Sequence, residues 1–257
     1  MNQPRRIGLI VPSSNTTIET ELPAMFSRQS EAGGLSFTFH SSRAVLHEVD
    51  AESLGRMVEQ VDRCAHELAD ARVDAYAYAC LVALMARGPG AHEEVERRIE
   101  ELAEPIPGYE PAVVSSAGAL VRAIAALGLR KIAIVTPYVD ALTAQVVDYL
   151  EAYGTTVVDA MSLRVSDNLE VGRLDSAKLP GLAAQLNTSA ADGVVISACV
   201  QMPSLPAIAE TERRLDLPVI SAATATVWDL LGRLGLEPIV AGGGALLDGN
   251  APVPAAD

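Results

Sequence analysis

Short apolar runs alternate along this chain with longer stretches in which apolar and polar residues recur at helical spacing. The runs at 7–11, 36–40, 73–78, 112–114, 131–135, 156–161, 193–197 and 218–220 are bounded by Pro, Gly, Ser or Asp. Continuous apolar character over so few residues marks strands covered on both faces, as in parallel sheets. Between them the spacing predicts helices over 16–26, 51–71, 91–103, 117–127, 141–153, 177–186, 206–215 and 222–234. Strand–helix alternation of this kind predicts an α/β fold of parallel sheets flanked by helices.

The pattern also repeats itself. Arg5-Arg6-Ile7-Gly8-Leu9-Ile10-Val11-Pro12 lines up with Arg130-Lys131-Ile132-Ala133-Ile134-Val135-Thr136-Pro137, each a basic pair, a strand and a proline. Asp74-Ala75-Tyr76-Ala77-Tyr78-Ala79-Cys80 lines up with Gly193-Val194-Val195-Ile196-Ser197-Ala198-Cys199, each a strand closed by Ala-Cys. The expectation is two pseudo-symmetric lobes, 1–110 and 111–231, followed by a C-terminal extension over 232–257. The last strand or helix of the second half is free to cross back. The Pro-, Ala- and Gly-rich tail at 248–257 is expected to fray. Gly242-Gly243-Gly244 lacks the strand–G-x-G-x-x-G–helix setting of a nucleotide site and reads as a flexible loop.

Composition narrows the function classes. The 257 residues are 49% hydrophobic and 20% charged, the balance of a globular protein. No apolar run approaches the ~20 residues that span a bilayer, so no membrane role is expected. Residues 1–6 are polar and lead straight into a strand, unlike a signal peptide, which makes the cytoplasm the expected location. With 19 basic and 33 acidic residues the net charge is −14, and a nucleic-acid partner, which needs a basic face, is not expected. Any anionic ligand must then be held by local dipoles against the average field. Cys64, Cys80 and Cys199 are odd in number and far apart, so free thiols are expected rather than disulfides. His40, His47, His66 and His92 fall at no metal-ligand spacing with them, so no metal site is expected.

Ligands of open α/β sheets bind beyond the carboxyl ends of the strands. Polar segments fall there at Ser13-Ser14-Asn15-Thr16-Thr17, Cys80-Leu81-Val82, Tyr138, Ser166-Asp167-Asn168 and Cys199-Val200-Gln201. A lone cysteine is more often a packing residue than a reactive one. Cys80 and Cys199, at matching ends of two half-repeats, are read as a reactive pair, with helix N-termini favouring their thiolates. Cys64, mid-helix and without a matching motif, is read as packing. Asn15 is either a plain helix N-cap, a role open also to Ser14 or Thr16, or an amide that holds a carboxylate. Tyr138 is either helix-start packing or a phenol donor to the same anion. By pattern alone Asn168 reads as a cap for 169–174.

Three of these segments resemble a known family. Arg6-Ile7-Gly8-Leu9-Ile10-Val11-Pro12-Ser13-Ser14-Asn15-Thr16-Thr17-Ile18-Glu19-Thr20-Glu21 resembles the opening of bacterial maleate cis–trans isomerases. Tyr78-Ala79-Cys80-Leu81-Val82-Ala83-Leu84-Met85 resembles their first cysteine motif, and Ile196-Ser197-Ala198-Cys199-Val200-Gln201-Met202-Pro203-Ser204-Leu205-Pro206 their second. The resemblance runs from about Arg5 to Leu231. It implies the two-lobed, aspartate racemase-like fold of the aspartate/glutamate racemase superfamily, with paired cysteines at the lobe interface, no cofactor and a homodimeric assembly. It further implies that Cys80 is the nucleophile and Cys199 the proton-exchanging partner. Asn15, Tyr138 and Asn168, with the backbone at Leu81, Val82, Val200 and Gln201, would contact the carboxylates of a small dicarboxylate substrate. Amino-acid racemases of the superfamily usually follow their cysteines with Asn-Thr and Thr. Leu81-Val82 and Val200-Gln201 lack those groups and suit an unsaturated diacid better. The rival expectations are a two-cysteine amino-acid racemase, a decarboxylase of the same superfamily, and a binding module for small acids.

Overall fold

The computed structural model describes residues 3–33, 35–103 and 106–253. The first half runs β1 (Arg5–Pro12), α1 (Ile18–Gly33), β2 (Phe37–Ala44), α2 (Ala51–Val58), α3 (Val61–Asp70), β3 (Ala75–Tyr78), α4 (Leu81–Met85), α5 (Ala91–Ala103), β4 (Ala112–Ser115) and α6 (Ser116–Ala126). The second runs β5 (Lys131–Thr136), α7 (Asp140–Ala152), β6 (Thr156–Ser162), α8 (Asn168–Gly172), α9 (Leu179–Ala183), β7 (Gly193–Ser197), α10 (Ile208–Leu215), β8 (Val219–Ser221) and α11 (Ala222–Arg233). The strands form two four-stranded parallel sheets, ordered β2-β1-β3-β4 and β6-β5-β7-β8. The order is the same in each, so β1 corresponds to β5 and β3 to β7, as the sequence repeat pairs them.

The basic pairs sit where each half ties the start of its first strand to an aspartate through backbone N–H groups. The Asp74 carboxylate accepts from the Arg6 N–H at 2.7 Å, and Asp192 accepts from the Lys131 N–H at 2.8 Å. Each aspartate precedes the neighbouring strand and satisfies an amide where β1 or β5 begins, which the ladder alone would leave open.

Several elements differ from the expected ones. The helix anticipated over 51–71 is two, because the Gln60 side chain leaves the helical path: its Oε1 accepts from the Val45 N–H at 3.0 Å and its Nε2 donates to the Arg56 carbonyl at 3.0 Å. The strand anticipated at 36–40 continues to Ala44, in unbroken register with β1 from Arg5↔Phe37 to Pro12↔Ala44. It is an edge strand, half-buried, so its polar residues Ser41, Ser42 and Arg43 do not end it. The helices anticipated over 177–186 and 206–215 each open with a 3₁₀ turn, at Ser176–Lys178 and Leu205–Ala207.

The glycine run is a packed turn instead of a loose loop. Gly244 has φ +76°, and a Cβ there would meet Ile208 at 2.6 Å and the Val219 carbonyl at 2.9 Å. Of the tail, Asp248 bridges to Ile239 and Ala251 is buried, while residues 254–257 lie outside the described residues. β4 pairs with β3 in the first sheet, so the first half runs past residue 110, where the second lobe was expected to begin, and α11 follows the last strand of the second sheet yet packs on α6, β4 and α1 of this first half. One continuous apolar core, from Ile7 to Ala251, runs through both halves. Among the described residues no helix is long and apolar enough to cross a membrane.

Candidate active site

The carboxyl ends of β1, β3, β5 and β7 converge on a buried cavity of about 20 Å³. Its walls are Pro12, Asn15, Leu46, Val49, Ala79, Cys80, Leu81, Val82, Tyr138, Asn168, Cys199, Val200 and Gln201. All nine residues singled out from the sequence are therefore in one place. Leu46 and Val49 were not singled out. They lie just beyond β2, and a strand taken to end at His40 put its carboxyl end too early for the strand-end rule to find them. A larger surface groove of about 810 Å³ lies between α10 and the C-terminal segment. Size alone would select it, but it is lined by no cysteine, and the chemistry lies in the smaller cavity.

Asn15 takes the capping role with its oxygen and leaves its amide nitrogen unused. Its Oδ1 accepts from the Ile18 N–H at 3.2 Å, which caps α1. Its Nδ2 is fully buried and has no hydrogen-bond partner among the described residues. A buried donor without an acceptor costs about 1–3 kcal/mol, so the fold carries this amide at a cost that an incoming anion would offset. Arg43 fixes the loop, donating from Nη1 to the carbonyls of Ser13 and Asn15, both at 3.0 Å.

Asn168 is not the cap of its helix. Asp167 takes that role, accepting from Leu169 N–H at 2.7 Å and Glu170 N–H at 3.3 Å. Asn168 is thereby freed to face the cavity, where its Nδ2 donates to Ser14 Oγ at 2.8 Å. Tyr138 is buried, with its hydroxyl donating to the Ala198 carbonyl at 3.2 Å beside Cys199.

The two thiols are both 5% exposed. Cys80 is the N-cap residue of α4, with φ −142° and ψ 88°. Cys199 closes a tight turn after β7: the Gln201 N–H donates to its Sγ at 3.4 Å, while Ser197 Oγ donates to the carbonyls of Cys199 and Met202 at 2.8 and 3.1 Å. Thiolates favoured by helix N-termini were expected; burial reverses that. Burial pushes Cys80 up to about 12, against a smaller downward pull from the Ala83 N–H, and the nearby Cys199 adds to the rise. Burial also raises Cys199, opposed by Tyr138 and by the N–H groups of Gln201 and Met202. Charge on Cys199 adds to the cost of charge on Cys80, so the two sulfurs do not ionise together near neutral pH. Cys64 is buried mid-way along α3 and lines no part of the cavity.

Two lobes of the same topology, each delivering a cysteine from the end of the corresponding strand into one buried crevice, define a racemase-like α/β protein with paired thiols. Residues 7–247 match the sequence model of the Amdase family, arylmalonate decarboxylase. A maleate isomerase of Geobacillus stearothermophilus is 54% identical over 246 residues, 95% of this chain and 98% of that protein. The crystal structure of a cysteine-to-alanine variant of the maleate isomerase Iso from Pseudomonas putida S16, with maleate, is similar with a TM-score of 0.95 at 47% identity, covering 97% of this chain and 99% of that one. A cysteine-to-serine mutant of the Nocardia farcinica maleate cis-trans isomerase, with a covalently bound succinylcysteine intermediate, gives a TM-score of 0.91 at 46% identity, covering 95% and 98%. This chain belongs to the Amdase family and, within it, to the maleate isomerases.

Proposed function

We propose that this protein isomerises maleate to fumarate by covalent addition of the Cys80 thiolate. The observation that carries the reading is the meeting of Cys80 and Cys199 in one buried cavity beside the unpartnered Asn15 amide.

Rotation about a carbon–carbon double bond needs the π bond to be broken. The Cys80 sulfur adds its electron pair to one alkene carbon, and Cys199 gives its proton to the adjacent carbon, leaving a succinyl thioether and a Cys199 thiolate. The central bond is now single and turns. Cys199 then takes a proton back, the double bond re-forms as fumarate, and the carbon–sulfur bond breaks to restore the Cys80 thiolate. Protons and electrons balance on the two sulfurs, and no cofactor is required. Cys80, protonated in the empty enzyme, first gives up its proton to water; the single negative charge then passes from one sulfur to the other and back, and mutual repulsion keeps a second charge out. The free Nδ2 of Asn15 and the second Nδ2 proton of Asn168, with backbone N–H groups at Leu81, Val82, Val200 and Gln201, hold the carboxylates as charge builds during addition, and Tyr138 joins them by turning its one O–H away from the Ala198 carbonyl.

An amino-acid racemase would use the same thiols. No lining residue carries a carboxylate to receive a substrate ammonium, and Leu81, Val82 and Val200 present apolar walls. That observation favours the diacid. The same reading takes the chain as a cytoplasmic homodimer; its three unpaired thiols fit a reducing compartment.

Proton NMR of the purified protein with maleate tests the proposal directly. Fumarate should accumulate in the absence of added cofactor, while aspartate and glutamate keep their chirality. Cys80→Ala should abolish turnover, and Cys199→Ser should gain the mass of one maleic acid at Cys80. Full activity of Cys80→Ala would remove the nucleophile from the scheme.

A further inference from the structure

Gln201 is one of the residues that line the cavity, but its side-chain amide is bonded into the join between the two halves of the chain and the residue is only 2% exposed. There Oε1 accepts from the backbone N–H groups of Thr16 at 3.1 Å and Thr17 at 3.3 Å. Nε2 donates to the carbonyls of Ser14 at 3.1 Å and Asn168 at 2.9 Å. A carboxamide has two acceptor sites and two N–H donors, so these four bonds saturate it and leave nothing for a ligand. The segments it joins are the loop that bears Asn15, the residue Asn168 and the turn that bears Cys199.

Gly172 provides an independent observation. It is not among the glycines with positive φ, so backbone freedom does not account for it. A Cβ at Gly172 would lie 2.6 Å from Gln201 Nε2 and 3.3 Å from Thr17 Oγ1. The missing side chain leaves the room that the Gln201 amide occupies.

We infer that the Gln201 side chain is a positioning residue, a clasp that fixes the Asn15 loop, Asn168 and the Cys199 turn at the mutual spacing one diacid needs. The inference rests on the isomerase reading for the identity of the ligand. The clasp acts through its neighbours and does not touch substrate. Anchors held too loosely weaken substrate and transition state together, and this is read as a rise in KM with kcat little changed. A role in folding alone would lower the melting temperature and the active fraction, leaving KM of the surviving enzyme as it was.

Three variants separate these outcomes. Gln201→Met keeps the length and loses all four bonds, and should raise KM for maleate about tenfold or more with kcat within about threefold. Gly172→Ala leaves Gln201 in place but crowds its amide, and should move KM in the same direction. Gln201→Glu keeps the acceptors for Thr16 and Thr17, yet when ionised it faces two carbonyls with no donor. Protonation returns one donor, so its KM relative to wild type should fall as pH is lowered from about 8 to about 6, while the Gln201→Met ratio stays flat. KM equal to wild type in both Gln201→Met and Gly172→Ala overturns the clasp, and if Gln201→Met does not fold, the other two variants decide it. Calorimetric binding of maleate to Cys80→Ala, with and without Gly172→Ala, reads the clasp without turnover: weaker binding in the double variant supports it and equal binding overturns it. Failure of the wild type to convert maleate would instead count against the isomerase reading.

Discussion

Asn168 Nδ2 donates to Ser14 Oγ at 2.8 Å, and that hydroxyl in turn donates to the Leu46 carbonyl at 2.5 Å. A residue of the second half, the loop after β1 and the wall after β2 are thus joined through one hydroxyl. Ser14 aims the Asn168 amide. Ser14→Ala should leave the amide free to turn and raise KM for maleate about five- to tenfold. An unchanged KM would show that Asn168 is aimed by its backbone alone.

The two roles of Asn15 are separable by substitution. Asn15→Ser keeps an oxygen to cap α1 but loses the Nδ2 donor, so stability should stay near wild type while kcat/KM falls. Asn15→Ala loses the cap as well and should cost about 1 kcal/mol more. Asn15→Asp keeps the cap and sets a negative charge against the diacid, and should be the least active of the three. Thermal melts beside steady-state kinetics decide it; equal kcat/KM for Asn15→Ser and wild type would remove the amide from the site.

Burial of the thiols makes a pH prediction. Cys80, pushed up to about 12 by burial, is almost wholly protonated at neutral pH in the empty enzyme. Its rate of alkylation by iodoacetamide should therefore climb about tenfold per pH unit from about 7 to about 9.5, because only the thiolate reacts. A plateau near pH 7 would mean that the amides around the sulfur outweigh burial. The alkylated residue is identified by peptide mass.

The strands, their repeat and the two cysteine turns were legible because each is encoded locally: an apolar run, then a small residue, then Cys. Asn15, Tyr138 and Asn168 stood at strand ends, but local pattern left each with a plain structural role, and family resemblance was needed to prefer the other. Only the fold reveals that Asp167 caps α8 in place of Asn168. Leu46 and Val49 were hidden because an edge strand tolerates polar residues, so β2 ran past its expected end. The break between α2 and α3 depends on Gln60 reaching Val45, and the Gln201 bonds reach back as far as Ser14. Contacts of that range leave no periodic trace. The rise in thiol pKa was likewise out of reach, since burial is a property of the folded cavity and not of the Ala-Cys motif.

A buried ion cluster away from the cavity sets a stability prediction. Arg122 Nη2 donates to Glu96 Oε1 at 2.8 Å and to Asp229 Oδ2 at 2.6 Å, tying together α5, α6 and α11. The Glu96 oxygen also accepts from the Ser115 N–H at 2.8 Å and Ser115 Oγ at 2.6 Å. The side chains of Asp229 and Glu96 are 0% and 10% exposed, so Arg122→Met would strand Glu96 and leave Asp229 only Arg233 at 3.4 Å, and should cost about 3 kcal/mol. The two acids differ in sign. Burial raises Glu96, but Arg122 and Ser115 outweigh it and hold the group below its ordinary 4.5; its contribution is therefore present above pH 4.5 and lost as pH falls through the lower folded value. Burial keeps Asp229 above its ordinary value despite Arg122, so its ionised form is a cost near neutral pH. The expected order of destabilisation at pH 7 is Arg122→Met, then Glu96→Gln, then Asp229→Asn, with Glu96→Gln also losing stability less steeply than wild type below pH 4.5. Denaturant midpoints across pH check this. Asp229→Asn more damaging than Glu96→Gln would reverse the assignment of which carboxylate Arg122 chiefly serves.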